Sequence, residues 1–185
     1  MNKTTAAVIL GGFLLALAGW RFFTLQESEV SVGSWTLPAA TSSASVVALS
    51  SNPPEGFVEF QNEKYGFSLF YPPTLEVTEY DEEGGAHTVS FEDKSGEKGF
   101  QIFITPYTED QITQDRFRMD VPSGVMKEPT DIVIDGIRAT MFFSENALMG
   151  ETREVWFIHD GYLHEVTTYK ELNLWLAEIM RTWKW

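Results

Sequence analysis

Tyr65-Gly66-Phe67-Ser68-Leu69-Phe70-Tyr71-Pro72-Pro73 is the stretch on which the reading of this chain turns. Side chains alternate along an extended backbone, so Phe67, Leu69 and Tyr71 fall on one face and Gly66, Ser68 and Phe70 on the other. The two prolines lack the amide donor that a ladder needs and fix where the strand ends. A strand with one apolar, aromatic face requires a core to cover it. The folded domain is therefore placed at 57–185.

Upstream of it, the chain reads as two further segments. Residues 24–56 form a linker rich in Ser, Ala and Thr that closes on Asn52-Pro53-Pro54, with no sustained hydrophobic period. Residues 1–23 hold an apolar run, Ala6 to Trp20, flanked by Lys3 and Arg21. A spanning helix takes about 17 to 25 residues and a signal-peptide core about 7 to 15. The aromatic group Trp20, Phe22 and Phe23 suits the membrane interface, and the run is read as a signal anchor or transmembrane helix. Ala16-Leu17-Ala18 carries the alternative, secretion after cleavage near Ala18. Lys3 and the amino terminus favour an N-terminus inside, which puts the domain on the extracytoplasmic side as a single-pass membrane protein.

Downstream, strands alternate with turns. Phe57 to Gln61 reads as a short leading strand or an irregular cover. Thr74 to Tyr80 and His87 to Glu92 read as an antiparallel pair joined through Asp81-Glu82-Glu83-Gly84-Gly85. Gly99 to Tyr107 follows, with Phe100, Ile102 and Ile104 on one face. Thr108 to Gln111 has the pattern of a capping box, with Glu109 and Asp110 in the first turn of a helix that Pro122 closes. Asp135-Gly136 and Asp160-Gly161 each separate alternating apolar runs, the strongest short-range hairpin signal there is. A two-residue turn pairs Ile134 with Ile137, Ile132 with Ala139 and Thr130 with Met141. The second hairpin pairs His159 with Tyr162, Phe157 with His164 and Val155 with Val166. Leu172, Trp175, Leu176, Ile179 and Trp183 form an apolar stripe on a closing helix from about Glu171 to Trp183. Strand runs joined by hairpins argue for an α+β fold with an antiparallel sheet.

Tyr65 to Pro72 resembles the opening of the PsbP-like group, whose members include the extrinsic photosystem II subunit PsbP and bacterial envelope proteins of the DcrB type. Asp131-Ile132-Val133-Ile134-Asp135-Gly136 is similar to that group's inner hairpin. Glu154-Val155-Trp156-Phe157 with Asp160-Gly161-Tyr162 is similar to its penultimate hairpin, and Leu176 to Trp185 to its closing helix and short terminal strand. The resemblance spans 57–185 and implies an antiparallel sheet with helices on both faces, an α/β/α sandwich. It implies no shared catalytic motif, and fold does not fix function.

Composition limits the chemistry. There is no cysteine, which removes disulfides, thiolate ligands, a cysteine nucleophile and a lipidated cysteine. Twenty-seven acids against 13 bases give a formal charge of −14, a field that repels nucleic-acid phosphates and suits a protein partner with a basic patch. Gly-x-Ser-x-Gly, a phosphate loop, a dinucleotide fingerprint and His-Glu-x-x-His are all missing from the sequence. The chain is read as a non-enzyme without a resident cofactor.

Three constellations remain as candidate sites. His159 and His164 lie diagonally on one face of the last hairpin and are the candidate metal ligands, for Zn, Ca or Mn. Tyr65, Phe67, Phe70 and Tyr71 are the candidate lining of a ligand groove, against the plainer reading of strand aromatics as core. Asp81-Glu82-Glu83, with Glu92 and Asp93, is an acidic hairpin end read chiefly as solvated, and His87 is read as a surface residue. The functional expectation is a non-catalytic, membrane-anchored binding or accessory module. A small-ligand or metal-ion binding domain is the alternative and a hydrolase the third.

Overall fold

The computed structural model describes residues 54–185. The anchor expected at 1–23 and nearly all of the 24–56 linker lie outside the described residues. Among the described residues no helix is long and apolar enough to cross a membrane.

Nine strands and two α-helices make up the domain. In chain order they are β1 (Val58–Asn62), β2 (Phe67–Tyr71), β3 (Glu76–Asp81), β4 (His87–Glu92), β5 (Gly99–Pro106), α1 (Gln114–Asp120), β6 (Lys127–Ile134), β7 (Ile137–Asn146), β8 (Gly150–His159), β9 (Tyr162–Tyr169) and α2 (Asn173–Met180). Seven strands form one sheet in the order β3-β4-β5-β9-β8-β7-β6, every pair antiparallel, and β1 with β2 makes a separate two-stranded sheet. The fold is α+β with a mostly antiparallel sheet, as the turn chemistry requires.

Both Asp-Gly hairpins hold the expected registers, Ile134 opposite Ile137 and His159 opposite Tyr162. Asp135 and Gly136 have φ of 42° and 91°, Asp160 and Gly161 of 51° and 78°. Two consecutive positive φ values match the right-handed twist of the flanking strands. Gly99 is demanded by packing instead: a Cβ there would sit 2.4 Å from the Phe91 carbonyl oxygen.

One face of the large sheet carries Val89, Phe91, Phe100, Ile102, Ile104, Val155, Phe157 and Val166. The β1–β2 sheet and α2 cover it. Phe60 meets Phe91 edge-on at 5.1 Å, and Phe67 stacks on Trp183 at 4.3 Å and 12°. The chain beyond α2 runs beside β2, where Ser68 and Lys184 exchange both backbone hydrogen bonds, at 2.8 and 2.9 Å. α1 packs on the opposite face, where Phe117 and Val121 meet Phe142 and Trp156.

The structure departs from the sequence expectations at three places. The first helix begins at Gln114, capped by Thr113, whose hydroxyl accepts from Arg116 N at 3.2 Å. Residues 108–112 form a bent, non-helical segment, held by the Tyr107 hydroxyl, which donates to Gln111 O and accepts from Thr113 N, both at 2.9 Å. The closing helix is a 3-10 turn, Lys170–Leu172, followed by α2, and it ends at Met180. There the Thr182 hydroxyl donates to Ile179 O at 2.7 Å and caps the last turn. β7 runs on to Asn146 and forms a third hairpin with β8, its turn held by Asn146 Oδ1 accepting from Leu148 N and Met149 N. The outermost strand β6 is blunted by Pro129, by a positive φ at Glu128 and by a register shift between Lys127 and Thr130.

Candidate functional site

Adjacent central strands lodge two glutamates inside the domain. Strand alternation puts Glu154 and Trp156 of β8 on the same face as Glu165 and Thr167 of β9, with Glu154 opposite Thr167 and Trp156 opposite Glu165. Both carboxyls are about 6 % exposed. α1 brings Arg116 and Asp120 down onto this face.

Glu154 is saturated from within. Its Oε1 accepts from Thr152 Oγ1 at 2.7 Å, and its Oε2 from Thr167 Oγ1 at 2.6 Å and Trp156 Nε1 at 3.4 Å. Burial still pushes its acidity above the usual carboxylate range, because three neutral donors do not replace the lost water. Glu165 is pushed well above that range, first by burial and then by the charge of Asp120 beside it. Burial also raises Asp120, opposed by its hydrogen bond with Glu165 and by Arg116. Arg116 Nη2 donates to Asp120 Oδ1 at 2.7 Å, lies 3.5 Å from Glu165 Oε1, and its Nε abuts Asp120 Oδ2. Burial and the Asp120 charge thus favour the protonated form of Glu165, while Arg116 favours the charged form of Asp120 in this carboxyl pair. α1 covers it, and the shallow cleft lined by Pro73, Thr74, Glu76, Asp93, Lys94 and Ser95 does not include it.

The histidine pair lies on the other face. His164 is 1 % exposed, stacked on Phe157 at 5.0 Å and 9°, with Phe67, Trp183 and Trp185 edge-on around it. Burial is the main cause that lowers its pKa to about 3; nearby His159 adds to the shift. The Tyr162 carbonyl opposes it without reaching hydrogen-bond geometry to either ring nitrogen. His159 lies against Trp185, 3.9 Å between centroids. Among the described residues no group of three or more His, Asp or Glu is arranged to hold a metal ion.

Of the four candidate groove residues, Tyr65 and Phe67 are buried in the core and Tyr71 packs against it, while Phe70 points from the opposite face of β2. The four do not line one groove, since three of them are filled space. His87 is a correction: it is buried, not superficial. Its Nδ1 lies 3.0 Å from Asp81 Oδ1 and its Nε2 3.0 Å from Glu79 Oε2. Asn62 Nδ2 donates to the same Glu79 oxygen at 3.2 Å, and Lys64 pairs with Asp81 at 3.0 Å. The acidic edge strand is thereby tied to the turn that joins β1 to β2.

Sequence reasoning passed over Glu154, Glu165, Asp120 and Arg116. The available signal was a glutamate in the middle of each of two apolar strands, at positions a ladder buries on both faces.

Comparison with known proteins adds the following. The fold is similar to that of cyanobacterial PsbP. The match is to the solution structure of CyanoP from Synechocystis sp. PCC 6803, at a TM-score of 0.49 and 10 % identity, covering 75 % of this chain and 98 % of that one. No family model matches the chain. No curated protein matches it either. At such identity no role carries across, and the chemistry has to be read from the residues themselves.

Proposed function

We propose that the domain is a non-catalytic binding or accessory module that docks on a basic protein surface, held at the extracytoplasmic face of a membrane by the segment 1–23. The observation that carries this reading is the division of its acids. Two carboxyls whose acidity burial perturbs are sealed inside, Glu154 held by three donors of its own chain and Glu165 beside Asp120 and Arg116. Glu76, Glu79 and Asp81, by contrast, stand exposed along the outermost strand β3, and Glu83 follows them. Lys64 and His87 pair with Glu79 and Asp81 of this row. A chain of net charge −14 with its acids ranked on a sheet edge presents a complementary surface to Lys and Arg.

Cross-linking from membranes followed by recovery of partners tests it. Capture is expected to weaken as salt rises through the range where the Debye length falls below about 10 Å, and to be lost when Glu76, Glu79 and Glu83 are changed together to Lys. Capture that ignores both salt and charge reversal would remove the electrostatic reading.

A further inference from the structure

Arg153 stands apart from the other bases. It is 6 % exposed, and among the described residues no carboxylate lies within 4 Å of it. Its guanidinium lies flat on Phe143, 3.5 Å from the ring centroid to the central carbon, and its Nε donates to Asn173 Oδ1 at 2.6 Å. Its Nη1 is buried with no partner. A buried guanidinium nitrogen without an acceptor gives up much of its hydration, so the site favours a group that accepts.

The surroundings supply the rest of a cradle. Phe143 faces Lys127 of β6 across one ladder and Arg153 of β8 across the other. Lys170 Nζ approaches the same ring at 5.6 Å. α2 follows directly on the 3-10 turn, the Asn173 amide donating to Lys170 O, and the first turn of α2 contains no acid that would repel an anion. The acids nearby are committed elsewhere or stand off: Glu145 holds Lys127, Glu151 is 2.8 Å from Lys170 and 3.7 Å from Lys127, Glu128 acts on Arg153 only at longer range, and Glu171 is exposed.

We infer that the corner formed by Arg153, Lys170 and the start of α2 binds a phosphate-type oxyanion, with Arg153 Nη1 as the buried donor. The choice of phosphate over carboxylate follows from Glu151. Lys170 already holds a carboxylate, in a pair more than 40 % exposed at both ends and therefore weak. A second single charge gains nothing by displacing it. A phosphate dianion matches Arg153 and Lys170 together and offers the guanidinium two oxygens.

Inorganic phosphate titrated into the full chain, against chloride at matched ionic strength, tests the site by calorimetry and by melting temperature. Saturable binding of phosphate is expected, with a rise in Tm that chloride does not give. Lys170→Gln, at an exposed position, should weaken phosphate binding about tenfold while leaving the melting temperature in chloride unchanged. Glu151→Gln should tighten it several-fold by releasing Lys170. Arg153→Lys should abolish it, and should it fail to fold, the two surface variants carry the test alone. Superimposable phosphate and chloride curves, or Lys170→Gln binding as tightly as the parent, overturn the inference.

Discussion

On one face of the seven-stranded sheet, the side chains that meet the covering elements are chiefly Val, Ile and Phe around the buried imidazole of His164. On the other, α1 meets Phe142 and Trp156 beside two glutamates, an aspartate and an arginine. The first face is closed by dispersion and water exclusion. The second is closed over carboxyls, where burial and the Asp120 charge favour the protonated form of Glu165. The same sheet therefore responds to acid and to base through different faces. His164 is the acid-sensitive group: its pKa falls from 6.5 to about 3 on folding, so the unfolded chain takes up a proton that the folded one refuses, and stability is lost as pH falls from 6.5 toward 3. Glu165 is the base-sensitive group. Its pKa rises on folding, so its contribution is fully present below about 4.5 and is lost as pH rises toward the raised value.

The contrast can be broken most forcibly at Trp183. It is 1 % exposed and stacked on Phe67, and Trp183→Ala is expected to cost about 3–5 kcal/mol in urea denaturation. Phe117→Ala under α1, where the ring is only half-buried, should cost less than half of that; equal costs would show that the two faces are closed alike.

His164→Phe keeps the stack on Phe157 and removes the titration. The parent should lose on the order of 4 kcal/mol between pH 6.5 and pH 3 from this one group, and the variant should not. Identical acid limbs for the two proteins would shift the acid sensitivity onto other residues.

The smallest effect is expected from Glu165→Gln, which keeps a donor toward Asp120 and abolishes the carboxyl. Melting temperatures followed from pH 4 to pH 9 should fall less steeply with rising pH in the variant. A slope unchanged from the parent would show that Glu165 does not set the base sensitivity.

How far the sequence foretold these faces depends on what each is made of. The aromatic face was legible because turns fix register and register fixes faces: Asp135-Gly136 and Asp160-Gly161 admit little else, and the pairs around Ile132 and Phe157 follow from them. The apolar stripe at Leu176, Ile179 and Trp183 likewise marks a helix and its buried side, although Trp183 lies beyond the helix end. The polar face was not legible. Glu154 and Glu165 look like solvated strand residues until β8 is known to lie between β7 and β9, and the position of α1 depends on a hydroxyl bond from Tyr107 that no local pattern announces. The burial of His87 was hidden for the same reason, since its two carboxylate partners lie on β3, the strand before it, and Tyr65 packs on it from the turn between β1 and β2.

The pairing of Ser68 with Lys184 joins the second strand of the domain to the next-to-last residue of the chain. During synthesis the hairpins of the large sheet can close one after another as each emerges. The face that Phe67 and His164 share stays open until Trp183 has been made, and Asp135 waits as long for Lys184, its partner at 2.9 Å. Contacts spanning so much of the chain are the slow ones to form. A growing chain stalled short of Trp183 would present that aromatic face to whatever binds exposed rings.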